Sequence, residues 1–256
     1  MLIEDYEDWF KNPDFWVKYR PLMFDADRME DTGIETEAIA EIARIKSGSD
    51  ILDLCCGEGR HAVEFAKRGH RVTGVDITSP YLNQAEKSAK EAGLDIRFVN
   101  RDVRAFIEEN SYDFAMNYFT SFGYFDDPDD DLLFCSNACK SLRPGGSFLI
   151  DTIGKETTAL HFKETDWFER DGYCIMLEYS IPDGWTHIEN RWMFISSDHE
   201  NPGILHETKF SHRLYSAVEM AGLLNEAGFS EVRFFGSLDG RPYDHRAERM
   251  LTLAIK

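Results

Sequence analysis

A chain of 256 residues with 43% hydrophobic and 13% aromatic side chains can bury a substantial core as one large domain or two small ones, which excludes global disorder. Its 28 Lys and Arg against 47 Asp and Glu leave a formal net charge of −19. Such a chain repels polyanions, so nucleic acid and anionic membrane surfaces are not expected partners.

The N-terminus, MLIEDYEDWF, is acidic where a signal peptide would be basic and then apolar. No stretch approaches the roughly 18 apolar residues that cross a bilayer. The five cysteines, Cys55, Cys56, Cys135, Cys139 and Cys174, are odd in number and lie in apolar surroundings. Reduced thiols and a cytoplasmic location are therefore expected. Cys135 and Cys139 have no matching Cys or His pair, so no metal site is expected.

The first fifty residues predict short helices. Asn12 caps NPDFWVKY with Pro13 at its first position, and IETEAIAEIARI places Ile34, Ala38, Ile42 and Ile45 on one stripe. The pattern then changes. DILDLC (50–55) is a short apolar run, followed by a helix that Gly69 closes. HRVTGVD (70–76) alternates like a strand, and the helix after it has Ser79 as cap and Pro80 at its first position. DIRFVN (95–100), YDFAMNYF (112–119) and SFLIDTI (147–153) are three further strands. Between the last two lies a helix capped by Asp127 and ending before Pro144. Strands alternating with helices of this length form β-α-β units and a mostly parallel sheet covered on both faces.

From about residue 165 four strand-like segments follow with turn residues between them and no helix. They predict an antiparallel meander inserted after the fifth strand. The helix SAVEMAGLLNEAG and the strands SEVRFFG and ERMLTLAIK then complete the main sheet. The expected organisation is one domain over 1–256. It has a helical lid (1–45), a core (46–155), an antiparallel insertion (165–214) and a C-terminal completion of the core (215–256).

In an open parallel sheet, ligands bind beyond the carboxyl ends of the strands. The first core strand runs through Asp53 into Gly57 and Gly59, the second ends at Asp76, the third just before Asp102, and the fourth near Asn117. Gly57 and Gly59 let backbone N–H groups approach a ligand. An acidic residue ending the second strand can accept from both hydroxyls of a ribose. Asp102 can accept from an exocyclic amine. The loop does not suit phosphate: GxxxxGK[ST] is absent, and its acidic start favours a cationic group. Ala62 leaves the GxGxxA form of a dinucleotide loop open on spacing, with a nicotinamide-dependent oxidoreductase as its functional reading.

LDLCCGEGRHAVEFAKRGHRVTGVDITSPYLNQA resembles the first two motifs of the class I S-adenosylmethionine-dependent methyltransferases, with Cys55 at the first glycine of their D-x-G-x-G-x-G. NRDVRAF resembles their adenine-binding segment, and LRPGGSFLIDT their junction into strand five. The insertion resembles that of small-molecule N-methyltransferases, and NYFTSFGYF, IENRW, SHRLYS and LDGRPYD resemble an uncharacterised branch. The resemblance implies a doubly wound, mostly parallel, seven-stranded Rossmann-like α/β sheet. It also implies S-adenosylmethionine as cofactor, S-adenosylhomocysteine as product, and methyl transfer to a small-molecule N or O acceptor by a monomer or homodimer. Asp53, Cys55 and the loop backbone would contact the methionine end, and Asp76 the ribose. Ile77 and Tyr81 would lie by the adenine, with Asp102 and Val103 at its edge and Asn117 and Tyr118 beside the sulfonium. Tyr19 and Arg20 would reach the cofactor carboxylate. The other reading of this fold is a non-catalytic cofactor-binding regulator or scaffold.

No single catalytic residue is assigned. The early aromatics Tyr6, Trp9, Phe10, Phe15, Trp16 and Tyr19 suit a lid. In the insertion, His187, Glu189 and Arg191 share one strand face, as do Glu207, Lys209, Ser211 and Arg213. His187, Arg191, His212, Arg213, Arg241 and Tyr243 form the pool of candidate substrate-binding residues.

Overall fold

Apolar segments too short for helices, separated by capped helices, must cross over to pair in parallel, and the chain does so. The computed structural model describes residues 4–5, 9–170, 172–182, 184–196 and 203–256. Its strands are β1 (Glu4–Asp5), β2 (Asp50–Leu54), β3 (Arg71–Asp76), β4 (Arg97–Asn100), β5 (Tyr112–Asn117), β6 (Leu142–Thr152), β7 (Thr165–Arg170), β8 (Tyr173–Ser180), β9 (His187–Ser196), β10 (Gly203–Arg213), β11 (Glu231–Phe235) and β12 (Met250–Ile255). Its helices are α1 (Pro13–Met23), α2 (Ala26–Ile42), α3 (Arg60–Lys67), α4 (Ser79–Glu91), α5 (Pro128–Ser141), α6 (Lys155–His161) and α7 (Ala217–Glu226).

The main sheet has seven strands in the order β11-β12-β6-β5-β2-β3-β4. Strands β2 to β6 pair in parallel, and β12 and β11 add antiparallel. This is the Rossmann-like methyltransferase sheet that the resemblance implies. The chain lays β3 and β4 on one side of β2, then returns to lay β5 and β6 on the other. The order therefore reverses between β2 and β5, where such sheets leave a crevice. Successive residues feed opposite faces, as the two-residue period of a strand requires. Leu52, Ala115 and Ile150 join the core under α5 and α7, while Ile51, Phe114 and Leu149 join the core under α2 and α3.

Three local expectations are corrected. Helix α2 starts at Ala26, and its buried positions include Thr32, Thr36 and Ile39, while Ile34 is 72% exposed. Two threonines hide in the helix interface by donating to backbone carbonyls four residues earlier, so counting only apolar residues misplaces the stripe. Helix α5 ends at Ser141, before Pro144 as expected, but β6 begins at Leu142 rather than at Ser147 and runs through Pro144. Helix α4 is capped from Thr78 rather than Ser79, because Asp76 already accepts from the Thr78 N–H.

Strands β7 to β10 form the antiparallel meander, with β1 added parallel to β10. Ile175, Leu177 and Phe194 on one face of this second sheet pack against Trp9, Phe10, Phe15, Tyr19 and Leu22. The N-terminal aromatics from Trp9 onward thus join the insertion to the crevice side of the main sheet. Tyr6 lies outside the described residues, as do Asp171, Asp183 and residues 197–202.

The floor of the crevice is tied down by Asp151, near the end of β6. Its carboxylate accepts from the Phe119 N–H at 2.9 Å, and its carbonyl accepts from the Thr120 N–H at 2.9 Å. Arg249, just before β12, pairs with both carboxylate oxygens. The Asp151 side chain is 1% exposed, so its charge depends on that partner. Arg249→Leu is expected to cost about 3–5 kcal/mol in urea unfolding, because it strands a buried carboxylate. Asp151→Asn in the same protein should recover part of the loss. A cost below about 1 kcal/mol would mean that the pair behaves as a surface ion pair.

Candidate functional site

The crevice between β2 and β5 opens into a cavity of about 1020 Å³ including its mouth, the upper end of the range for small-molecule sites. Asp53 from β2, Asp76 from β3, Asp102 from the loop after β4, and Tyr118 and Phe119 after β5 all line it. Cys55, Cys56, Gly57, Ile77, Thr78, Tyr81 and Val103 complete that side. Phe10, Trp16, Met23 and Phe24 close over it from the N-terminal segments, and Ser121, Tyr124 and Phe125 from the loop after β5.

The turn after β2 has a defined shape. Gly57 takes φ +56, and a Cβ there would meet the Phe24 ring at 2.9 Å. Its N–H donates to one Asp76 oxygen at 2.8 Å, and the Thr78 N–H donates to the other at 2.7 Å. Asp76 is 7% exposed. Burial pushes its carboxyl up, and the Thr78 and Gly57 donors oppose that. Each oxygen still has accepting capacity for one hydroxyl of a diol. Gly59 does a different job. It takes φ +72, and a Cβ there would meet Ala85 at 3.0 Å and Phe98 at 3.1 Å, so it packs α3 against its neighbours and does not line the cavity. Cys55 occupies a left-handed conformation, φ +61, that favours glycine.

Asp53 is 4% exposed, and no described side chain donates to its carboxyl. Burial raises its pKa to about 8; Arg60 opposes this and Asp76 adds to it. A carboxyl held neutral in this way is poised to ionise against an incoming cation. Asp102 behaves differently. Burial pushes it up, but hydrogen bonds from Arg104 outweigh that and hold it below the usual range. It receives the Arg104 guanidinium and backbone N–H and still borders the cavity.

Asn117 is fully buried behind the turn, donating to the Leu54 carbonyl at 3.0 Å, and its Oδ1 has no partner. The Tyr118 ring packs edge-on to His61 at 4.8 Å. His61 is pushed below the usual histidine range by burial, against its bond to Glu35.

Other residues singled out in the sequence lie elsewhere. Tyr19 is 2% exposed between Phe15 and Phe194, its hydroxyl directed at the Trp192 carbonyl. Arg20 is held by both oxygens of Glu58. His187 sits beside Thr186 and Glu189. Arg191 bridges Glu178 and Glu207 beside a second, more open groove. His212 is buried behind Tyr124, and burial lowers its pKa to about 4. Arg213 binds Asp131 and the carbonyls of Phe125 and Asp126. Arg241 pairs with Asp239, and Tyr243 donates to Glu156. None of these side chains lines the cavity; local carboxylates or carbonyls take up most of their polar groups.

Sequence reasoning passed over Arg60, His61, Phe119, Ser121, Tyr124 and Phe125. Arg60 and His61 follow the glycine turn directly, where the start of α3 must face the crevice. Phe119 and Thr120, with φ +71 and +59, carried no sequence signal, since neither residue type favours that region. Among the described residues no group of three or more His, Cys, Asp or Glu is placed to hold a metal ion, and no helix is long and apolar enough to cross a membrane.

Residues 51–146 match the family model described as a methyltransferase domain. The chain is 25% identical, over 63% of its length and 68% of the relative's, to a dTDP-3-amino-3,4,6-trideoxy-alpha-D-glucopyranose N,N-dimethyltransferase of Streptomyces venezuelae. It is 29% identical, over 44% of its length and 49% of the relative's, to a ubiquinone biosynthesis O-methyltransferase of Actinobacillus pleuropneumoniae, so about half of that protein is matched. A crystal structure of an S-adenosylmethionine-dependent methyltransferase from Clostridium acetobutylicum shares the fold, with a TM-score of 0.75 and 19% identity over 94% of this chain and 97% of that one.

Two outcomes are expected at this site. Asp76→Ala should weaken S-adenosylhomocysteine binding at least about tenfold in calorimetry, the ~1.4 kcal/mol of one charge-assisted hydrogen bond. Asp53 has a pKa of about 8 in the folded chain, above that of an unfolded aspartate. Between about pH 4 and pH 8 the folded state therefore holds the extra proton, and the contribution of Asp53 to stability falls as pH rises. Urea midpoints should decline less across that window in Asp53→Asn than in the parent. Parallel curves for the two proteins would contradict the assignment.

Proposed function

Because the chain belongs to the class I S-adenosylmethionine-dependent methyltransferases, we propose that it transfers the cofactor's methyl group to a nitrogen or oxygen of a small-molecule acceptor. One observation carries the reading: Asp53, Asp76 and Asp102, from three strand ends, border a single cavity whose opposite wall is aromatic. The relatives support it. One is an N,N-dimethyltransferase of an amino sugar and another an O-methyltransferase of ubiquinone biosynthesis. The net charge of −19 favours a small acceptor over nucleic acid.

The residues fit the cofactor. Asp76 would hold the ribose hydroxyls while keeping its Gly57 and Thr78 bonds. Asp53, buried and without a donor, would take the ammonium. Ile77 and Val103 would flank the adenine, with Asp102 at its amine edge and Asn117 and Tyr118 toward the reacting end. When bound, the cofactor supplies a methyl group already activated on a sulfonium.

What remains for the protein is alignment and exclusion of water. Phe10, Trp16, Phe24 and Phe125 supply the dry wall. Burial pushes the Tyr124 hydroxyl far above the usual tyrosine range, so it stays protonated and offers a neutral polar contact inside that wall. His61 stays neutral near pH 7 for the same physical reason.

The test is to incubate the protein with S-adenosylmethionine and a panel of small amines, phenols and alcohols, reading S-adenosylhomocysteine and methylated product by mass spectrometry. Turnover of at least one member is expected. Tight binding of S-adenosylhomocysteine with no turnover across the panel would reduce the chain to a cofactor-binding module. Absence of binding would overturn the reading altogether.

A further inference from the structure

The end of the cavity beyond Asp53 carries an unusual concentration of guanidinium groups. Arg28, Arg60 and Arg249 surround the Phe119 ring, with Cζ atoms 4.3, 5.7 and 5.9 Å from its centroid. They come from α2, the start of α3 and the residue before β12, so only the fold brings them together. Phe119 and Thr120 adopt consecutive left-handed conformations to sit among them, a strain of the kind that collects at ligand sites.

Guanidinia and carboxylates interleave in this cluster. Four arginines, Arg28, Arg60, Arg170 and Arg249, meet three carboxylates. Asp25 pairs with Arg28 and Arg170, Glu35 with Arg60, and Asp151 with Arg249. Asp53 borders the same space but is held neutral by its burial. Burial pushes Arg28 below the usual arginine range, against Asp25, and the guanidinia of Arg170, Arg60 and Arg249 push it further. Even in a chain of net charge −19, three guanidinium groups thus gather around one ring at this end of the cavity.

Arg60 shows where a guanidinium is available. It lines the cavity with its side chain 7% exposed. Its Nη1 is bound to Glu35, to Thr32 at 3.1 Å and to the Arg28 carbonyl at 3.4 Å. Its Nη2 is buried with no partner. A buried unsatisfied donor on a guanidinium is costly unless a ligand completes it.

We propose that this end of the cavity, around Arg60 and Phe119, binds a carboxylate carried by the methyl acceptor. The proposal rests on the methyltransferase reading and specifies its substrate class. The sheet order supplies the direction. Asp76 and Asp102, on the β3–β4 side of β2, hold the nucleoside end. Phe119 follows β5, Asp151 lies in β6 and Arg249 precedes β12, all on the other side, beyond Asp53 and the methionine end. One unpartnered guanidinium nitrogen, Nη2 of Arg60, is what the ligand would complete. The planar fork of Arg suits a carboxylate's two oxygens.

The test uses the full chain saturated with S-adenosylhomocysteine. Acetate, benzoate, 3-hydroxybenzoate and 4-aminobenzoate are titrated by calorimetry, each against its neutral amide. At least one carboxylate should bind at least about tenfold more tightly than its amide, and Arg60→Gln should abolish that difference. Glu35→Gln, which removes a counter-charge and leaves Arg60 in place, should tighten carboxylate binding; this keeps the proposal testable if Arg60→Gln does not fold. Carboxylates and amides that bind alike, or no carboxylate binding, would overturn it. So would Arg60→Gln weakening S-adenosylhomocysteine while sparing 5′-methylthioadenosine, since Arg60 would then serve the cofactor's own carboxylate. If the parent protein does not bind S-adenosylhomocysteine at all, the methyltransferase reading fails at the first titration and the acceptor site falls with it.

Discussion

The site depends on the Asp76 carboxylate. It ends β3, accepts from the backbone of Gly57 in the neighbouring turn, and accepts from Thr78 as α4 begins. Three pieces of chain that could each take other shapes are thereby locked to one buried group. The left-handed turn at Cys55 and Gly57 is acceptable because those bonds hold it. Desolvation works against a charge there, and the backbone donors offset part of that. The same geometry leaves accepting capacity directed at a ligand. Fold and binding are therefore not separable at this position.

A second constraint comes from the insertion. Antiparallel strands β7 to β10 cannot bury one face alone, and the N-terminal aromatics cover it. Trp9 touches Phe15, Trp16, Tyr124 and Phe210 within ring-centroid distances of 4.3 to 5.5 Å. Helix α1 is thus held between the second sheet and the crevice, and Phe10 and Trp16 reach the cavity as a result. The early aromatics serve both structure and site. This is why Tyr19 and Arg20, neighbours on the same helix, belong to packing and to the Arg20–Glu58 pair rather than to the cavity wall.

The far end of the cavity shows the opposite balance. Asp151 and Arg249 tie the loop after β5 so that Phe119 and Thr120 sit in conformations neither residue favours. Guanidinia gather around the Phe119 ring, and one nitrogen of Arg60 is left without a partner. That unpartnered, buried nitrogen is the feature on which the proposed acceptor carboxylate rests. The β3–β4 side of the cavity instead carries carboxylates, Asp76 and Asp102.

Periodicity and punctuation determined most of this protein by themselves. Apolar runs ending at Asp53, Asp76 and Asn117, with glycine, proline and cap residues between them, are local signals, and local energetics honour them. The parallel core, the antiparallel insertion and the placing of one polar residue at each strand end were legible for that reason. What the sequence could not reveal were relations between distant residues. Ile34 sits in an apolar stripe yet faces solvent, because Thr32 and Thr36 satisfy their hydroxyls on the helix itself. His187, Arg191, Arg213, Arg241 and Tyr243 look available on paper, but nearby carboxylates or carbonyls claim them. Arg28, Arg60 and Arg249 are far apart in the chain and meet only because strand order reverses beside β2. Pairing of charges and closure of a cavity are properties of three-dimensional distance, and only the tertiary structure decides them.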